Sequence, residues 1–537
     1  MDAYRTLLAA GEPGGHRPLV ELLRRLEREG HLPAGAPVRG DPALEGIEIT
    51  GIAHDSRTVE DGCLFVAIPG EHVDGHDFVA AAAGRGAAAA VVEHAVPVPL
   101  PQVLVDRSLA ALATAACWWY RDPSAGLGIV GVTGTDGKTS TARLVGSVLD
   151  AAGLRAGIVS TVGGRIGGVE ERRPPHVTTP HAPELQRTLA AIRAAGDPVA
   201  VVETTSHGLA LGRVNGVRYD VAILTNLTRE HLEFHGTWEA YRDAKRSLFA
   251  RLAVGPDNPP KATPGWPRTG ILNADDPSVD LFVETTRAAG ARVLTYGRSP
   301  DADLRLRDVN DDGQRLRISW DGPTGRRHAA LQLAGRFNAY NALAAAALGV
   351  ALGLDPEAVT AGLEGLRHVA GRMQRVELGQ PFGVVIDYAH TANALALVLD
   401  ELAPVATARG GGLIAVFGSG GERDVEKRGQ MGAAAAERCR LVIATDEDPR
   451  NEDPMAILEA IAVGAEAAGA VRGESLQLIL DRHVAVATAI QAARPGDVVL
   501  LAGKGHEHNI LVADGGEIPW DERAAAEEAL RGLGFDG

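Results

Sequence analysis

Residues 131 to 141 read GVTGTDGKTST, with glycines at 131, 134 and 137 followed by Lys138 and Thr139. Such glycines let a backbone turn tightly and aim its N–H groups at phosphate oxygens. Lysine adds a cation, and the next hydroxyl can reach a magnesium ion. Gly134, Thr135, Asp136, Gly137, Lys138, Thr139 and Ser140 are therefore the candidate nucleotide contacts. The spacing is GxxGxxGKT; Val132 stands where the usual GxxxxGKS/T motif has its first glycine. Further on, VETTSHGLALGRV and LTNLTREHLEFHG contribute Glu203 and His231, an oxygen and a nitrogen donor of the kind that can serve a metal ion bound to ATP.

These residues need elements to hold them. LGIVGVTG ahead of the loop reads as a buried strand. TARLVGSVLDAAG behind it puts Leu144 and Val145 on the same face as Val148 and Leu149, the pattern of a helix whose N-terminus faces the anion. The same alternation recurs along the chain. AAAAVVEH, AGIVSTVG, VAVVETTS, DVAILTNL, FGVVIDYAH, GLIAVFGSG, RLVIATDE and DVVLLAGKG each end in polar residues and are separated by Ala-rich helical stretches. This predicts an α/β fold with mainly parallel sheets and ligand sites at the strands' carboxyl ends. A chain of 537 residues exceeds one core. Boundaries near DPSAG and ahead of GRMQRV divide it into domains 1–124, 125–367 and 368–537. The Pro- and Gly-rich segment 254–270 reads as an exposed spacer.

The formal net charge of −16 argues against nucleic acid or an anionic membrane as a general partner. The first residues, MDAYRTLLAAGEPGGHRP, lack a cationic segment leading into an apolar run, and no apolar stretch reaches membrane-spanning length, so a cytoplasmic protein is expected. Cys63, Cys117 and Cys439 are far apart and read as reduced thiols. A monomer is the default.

Taken together, these blocks resemble the Mur ligases, ATP-dependent amide-forming enzymes of peptidoglycan synthesis. GIAHDSRTVEDGCLFVAIPGEHVDGHDF is similar to the uridine-nucleotide domain of the tripeptide-synthetase (MurE-type) branch. The resemblance implies an N-terminal uridine-nucleotide-binding domain, a central P-loop ATPase domain and a C-terminal Rossmann-like domain. It implies that Lys245, in YRDAKRSLF, is carbamylated by carbon dioxide and helps organise a second magnesium site with His231. Ser56 and Arg57 would lie near the UDP portion of the substrate. Thr178, Thr179, Thr205 and Arg213 would contact the muramoyl peptide. Asn338 and Asn341 would lie near adenine, and Arg372 and Asp387 would reach the nucleotide from the third domain. Arg423, Asp448, Arg450, Gly503 and Glu507 match positions of the amino-acid pocket.

The implied chemistry follows from a general obstacle: a carboxylate does not condense with an amine in neutral water, because its oxygen leaves poorly. Phosphorylation by ATP makes an acyl phosphate, which the amine then attacks. Lys138, with metal on Thr139 and Glu203 and a second metal near His231 and Lys245, would neutralise the charge developing on the phosphoryl group. The implied substrates are UDP-N-acetylmuramoyl-L-alanyl-D-glutamate and a diamino acid. DEDPR stands where the family has DNPR, retaining Arg450; Glu447 and Asp448 add charge suited to an ammonium. This places meso-diaminopimelate ahead of L-lysine or L-ornithine and leaves those two open. Asp136, His181, Leu211, Glu230, Ala370 and Ala392 also depart from the family pattern. The competing readings are a Mur-type ligase of the folylpolyglutamate or cyanophycin-synthesising kind, and a P-loop kinase or ATPase.

Overall fold

Each apolar run that ends in polar residues forms a strand. In the computed structural model, which describes residues 2–33, 44–70, 73–171, 177–255, 258–262, 264–311 and 314–537, the chain forms two compact units. Glu71 and His72 of GEHVDGHDF, and residues 172–176 ahead of Thr178 and Thr179, fall outside the described residues.

The first unit comprises residues 1–305, 322–324 and 340–362. It opens on a four-stranded parallel sheet of β1 (Gly51–Ala53), β2 (Cys63–Val66), β3 (Ala89–Val92) and β4 (Gln102–Leu104), in that order. Side chains alternate across it. Leu64 and Val66 enter one core with Leu19, Leu22 and Trp118, while Cys63 and Phe65 enter another with Val79 and Ala82.

The second sheet of this unit carries β5 (Gly128–Thr133), β6 (Ala156–Val159), β7 (Val199–Glu203), β8 (Val221–Leu224), β9 (Thr269–Asn273) and β10 (Arg292–Gly297). All six are parallel in the order β6-β7-β5-β8-β9-β10. Every residue of β5 is buried, as a central strand covered on both faces must be, and GIVGVT accordingly reads as a continuous apolar run. Three helices matter for the site: α1 (Lys138–Ala151), α2 (Ala182–Ala194) and α3 (Trp238–Ala250).

In the second unit, residues 306–321, 325–339 and 363–537, a parallel sheet runs β11 (Gly383–Asp387), β15 (Val498–Ala502), β12 (Leu413–Phe417), β13 (Leu441–Ala444) and β14 (Leu476–Leu478) in spatial order. Leu413, Ala415 and Phe417 point into one apolar layer and Ile414 and Val416 into the other, so helices cover both faces. An ion pair between Arg482 and Glu522, 2.8 Å long with both side chains fully buried, ties two of those helices.

Several described residues of the segment 254–270 are exposed, as a spacer's would be, but two of its side chains are anchored. Lys261 is buried against Asp220 at 2.6 Å and also donates to the carbonyls of Leu127 and Arg218. Trp266 packs on Gly128, where a Cβ would collide with its ring. The loop thus pins the start of the central strand, an outcome that its Pro and Gly content does not reveal. All three cysteines are free, with Cys63 and Cys117 buried. Among the described residues no helix is long and apolar enough to cross a membrane.

Candidate active site

Strand β5 ends at Thr133 and helix α1 begins at Lys138, leaving a four-residue turn between them. Gly137 caps the helix at φ +78°, and Gly134 has φ +148°. A Cβ on Gly134 would strike Thr225 Oγ1, and one on Gly137 would strike Asn341 Oδ1, so both positions demand glycine on space as well as conformation. The segment after β8 grips the turn. Thr135 N donates to Asn226 O at 2.8 Å, Asp136 N to Asn226 Oδ1 at 2.9 Å, and Thr225 Oγ1 to Asp136 O at 2.6 Å. Those two N–H groups are therefore spent on the protein. The first-turn N–H groups of α1 face the turn without intrahelical acceptors, which favours an anion there. The Lys138 ammonium folds back on Thr135 O at 2.6 Å.

Glu203 is the centre of the arrangement. It ends β7, next to both β5 and β6, and its carboxylate is 1% exposed. Thr139 Oγ1 donates to its two oxygens at 3.0 and 3.1 Å. Thr161, just past β6, donates its N–H at 2.9 Å and its hydroxyl at 3.0 Å. Thr161 Oγ1 also meets Thr178 Oγ1 at 2.9 Å. Thr179 Oγ1 donates to Glu203 O at 3.0 Å and lies 3.1 Å from Thr205 Oγ1, while Arg213 Nη1 donates to Thr179 O at 2.9 Å. A hydrogen-bonded line thus joins the phosphate-loop hydroxyl to Thr178 and Thr179.

On the other side of the turn, Tyr241 and Lys245 lie one helical turn apart on α3 and face the same way. Tyr241 OH is 2.8 Å from Thr135 Oγ1. Lys245 is buried, donates to Gly134 O at 2.6 Å and places its nitrogen 4.5 Å from the Tyr241 ring centre. Burial first, and the Lys138 charge second, hold its amine far below the ordinary lysine value. His231 adopts a left-handed backbone, φ +55°, and its ring sits 4.7 Å from His207 and 6.4 Å from Tyr241. Burial, together with His231 and His235, holds the His207 imidazole down to about 4. Among the described residues no three of His, Cys, Asp and Glu are grouped to hold a metal.

The second unit assembles a second polar centre. Lys504 is fully buried and donates to Asp448 Oδ1 at 2.8 Å and Glu507 Oε2 at 2.6 Å. Leu511 N also donates to Asp448, and Tyr388 OH to Glu507 Oε1 at 3.2 Å. The charge that Asp448 brings to DEDPR is therefore met by Lys504. Glu447 is buried, its Oε2 has no hydrogen-bond partner, and it packs so closely on Gly503 that a Cβ there would touch it. Burial pushes the Glu447 carboxyl up despite Lys427, Arg482 and Lys504. Arg450 sits at φ +51° with Nη1 on Gly421 O at 2.8 Å, and Arg423 is exposed; among the described residues neither pairs with a carboxylate. Asp387 accepts from Met373 N and Ala389 N, each at 2.8 Å, and Arg372 stacks 5.0 Å over Tyr388.

Comparison with known proteins addresses what these centres serve. Three family models match: Mur ligase family, catalytic domain, at residues 48–116; Mur ligase middle domain at 132–349; and Mur ligase, glutamate ligase domain, at 371–505. The UDP-N-acetylmuramyl-tripeptide synthetase of Roseiflexus sp. (strain RS-1) is 43% identical over 525 residues, covering 97% of this chain and 100% of that protein. The chain belongs to the Mur ligase family. The UDP-N-acetylmuramoyl-L-alanyl-D-glutamate–2,6-diaminopimelate ligase of Bacillus velezensis is 41% identical, covering 88% of this chain and 92% of its own length. A solved structure of a ligase with that name superposes with a TM-score of 0.64 at 29% identity, over 93% of this chain and 98% of its own. A MurF ligase from Thermotoga maritima in complex with ADP shares the fold at 20% identity and a TM-score of 0.56, over 90% of this chain and 96% of its own.

As a Mur ligase the chain is an ATP-dependent, amide-forming enzyme of peptidoglycan synthesis, with that family's three-domain α/β architecture. Of its expected site residues, the first unit gathers Gly134 to Thr139, Glu203, Thr178, Thr179, Thr205, Arg213 and Lys245 into one connected network. Asn341 joins it through Thr141 Oγ1 at 3.2 Å, and Ser140 is buried beside them. Ser56 and Arg57 form a short turn near the N-terminal sheet, where the exposed Arg57 pairs with Asp55 at 2.7 Å. Asn338 donates to Ala334 O at 2.6 Å in the second unit. Sequence reasoning missed Thr161, Asn226, Tyr241 and Lys504. Lys504 stands inside DVVLLAGKG, Thr161 inside AGIVSTVG, Asn226 inside LTNLTREHLEFHG and Tyr241 inside YRDAKRSLF, blocks read for their neighbouring residues.

Proposed function

We propose that this Mur ligase adds meso-diaminopimelate to the D-glutamate of UDP-N-acetylmuramoyl-L-alanyl-D-glutamate in the cytoplasm, as a monomer, through an acyl phosphate. The observation that carries this reading is the line Thr139–Glu203–Thr161–Thr178, which links the phosphate loop to the threonines expected to face the peptide. A carboxylate lying along Thr178 and Thr179 would meet the terminal phosphate of an ATP held at Gly134 to Ser140. Its oxygen attacks the phosphorus, ADP leaves, and the amine then displaces phosphate from the acyl carbon while giving up a proton. Lys138 would leave Thr135 O to follow the transferring charge. Asn338, Asn341, Arg372 and Asp387 would complete the nucleotide site, and Ser56 and Arg57 would meet the uridine nucleotide.

The hydroxyl of Thr139 and the carboxylate of Glu203 are hard oxygen donors that suit Mg2+, and the ion would neutralise charge on the phosphates. Lys245 suits carbamylation because its amine is buried and readily neutral, the form that adds CO2 with loss of a proton. The carbamate would turn a cation into an oxygen donor near His231. In the second unit, Arg423 and Arg450, which have no carboxylate partner among the described residues, favour an amino acid bearing two carboxylates, which lysine and ornithine lack. Asp448, Gly503 and Glu507, the two acids paired with Lys504, would form a wall of the amino-acid pocket. Relatives at 37 and 41% identity that bear the 2,6-diaminopimelate ligase name support the same choice.

Mass spectrometry of the product, with ATP, Mg2+ and the UDP-dipeptide plus diaminopimelate, lysine or ornithine in turn, tests this reading. The diaminopimelate adduct is expected. A lysine or ornithine adduct formed faster would refute the amino-acid assignment, and no adduct would refute the ligase assignment.

A further inference from the structure

The second unit holds a cavity of about 780 Å³ apart from its polar centre. It lies against Gly383 and Val498, the first residues of β11 and β15, whereas Lys504, Asp448 and Glu507 meet beyond the carboxyl ends of that sheet's strands. None of the expected nucleotide contacts Asn338, Asn341, Arg372 and Asp387 lines it. Five arginines do, namely Arg315, Arg367, Arg375, Arg409 and Arg523, with His368 beside them. Among the described residues only three carboxylates share the lining, Asp311, Glu377 and Glu401. In a chain of net charge −16 this wall is thus inverted in sign.

The acids do not cancel the excess. Asp311 stands 3.7 Å from Arg375, whose Nη1 donates to Gln314 O at 2.7 Å, and Glu401 accepts Arg336 N at 2.8 Å. Arg523 pairs with Glu527 one turn along its helix, at 2.8 Å. Arg367 makes no hydrogen bond or ion pair among the described residues. Burial first, then Arg523 and Arg367, hold the His368 imidazole below its ordinary value, which puts both guanidinium groups near that ring. Like charges gathered on one wall repel until an anion lies between them, and guanidinium forks match phosphate oxygens in pairs. Met373, Phe382 and Val405 add an apolar side, and the volume falls within the range of small-molecule sites.

We propose that this cavity is a second anion site, which takes a small molecule carrying two or more linked phosphates. The assignment does not depend on the ligase reading. Its ligand could be a bare polyphosphate or a nucleotide whose base lies on the apolar side. The test titrates the full chain with inorganic tripolyphosphate and with GTP in a calorimeter, in a Lys138→Met background that disables the phosphate loop. One tripolyphosphate should bind per chain, and adding Arg367→Gln and Arg523→Gln should weaken it about tenfold or more. Both arginines are exposed, so that variant should melt as its background does. In the presence of Lys138 the two substitutions should leave the KM for ATP within about twofold of the parent. GTP binding tighter than tripolyphosphate assigns the site to a nucleotide, and equal or weaker binding assigns it to polyphosphate. No binding in the Lys138→Met chain, or binding that the two arginine substitutions leave unchanged, overturns the proposal.

Discussion

Replacing Glu203 by glutamine separates the site's chemistry from its stability. The carboxylate accepts the Thr139 hydroxyl and both donors of Thr161, within 2.9 to 3.1 Å, while 1% exposed. The Thr161 N–H reaches only Oε2, so the amide must keep its oxygen there and put its NH2 at Oε1. Both threonine hydroxyls can rotate to accept from that NH2. The exchange then costs the fold about 1 kcal/mol, and for a chain of this size the melting temperature moves only a few degrees. The loss at the phosphoryl group is larger. Removing one preorganised electrostatic element of this kind slows turnover about 10² to 10³-fold, or roughly 3 to 4 kcal/mol of barrier. Phosphate release with all substrates, alongside a thermal melt, reads both numbers. Glu203→Gln protein with turnover within about threefold of the parent and an unshifted melt would refute the reasoning.

Lys245→Met should leave the melting temperature nearly unchanged, since losing a desolvated amine offsets the unsatisfied Gly134 carbonyl, yet abolish turnover; added acetate should restore part of it, and CO2-free buffer should slow the parent. Lys504→Met leaves Asp448 and Glu507 buried and uncompensated, so the variant should lose about 3 to 5 kcal/mol in denaturant titration. The His207 imidazole titrates near 4 when folded against about 6.5 when unfolded, so unfolding takes up a proton between these values and stability declines as pH falls from 6.5 towards 4. In thermal melts across that range His207→Asn should show a shallower decline.

Much of the fold was legible because its strands are buried on both faces. GIVGVT, VAVVE and LIAVF are apolar runs that no surface element would carry, and each ends at the residue where polarity resumes. Glycine at 134 and 137 was legible for the same reason: the turn tolerates nothing else. What escaped was pairing between elements. Nothing near Thr161 announces that β6 lies beside β7 and so delivers two hydrogen bonds to Glu203. Asp448 looked like free negative charge, and only the fold brings Lys504, 56 residues on, against it. Lys261 lies in the segment read as a spacer, yet its side chain is buried against Asp220. That Arg213 Nε and His181 Nδ1 are buried without partners was likewise invisible, because burial of single atoms is set by the fold.

The central claim is that the phosphate loop transfers phosphate to a carboxylate. The most direct measurement uses UDP-dipeptide carrying 18O in the reacting glutamate carboxylate and follows the label into inorganic phosphate by mass spectrometry. One 18O in each phosphate released, appearing only with the amino acid present to complete turnover, is the predicted result. Phosphate that carries no label would mean that water or another hydroxyl took the phosphoryl group, and would contradict the account.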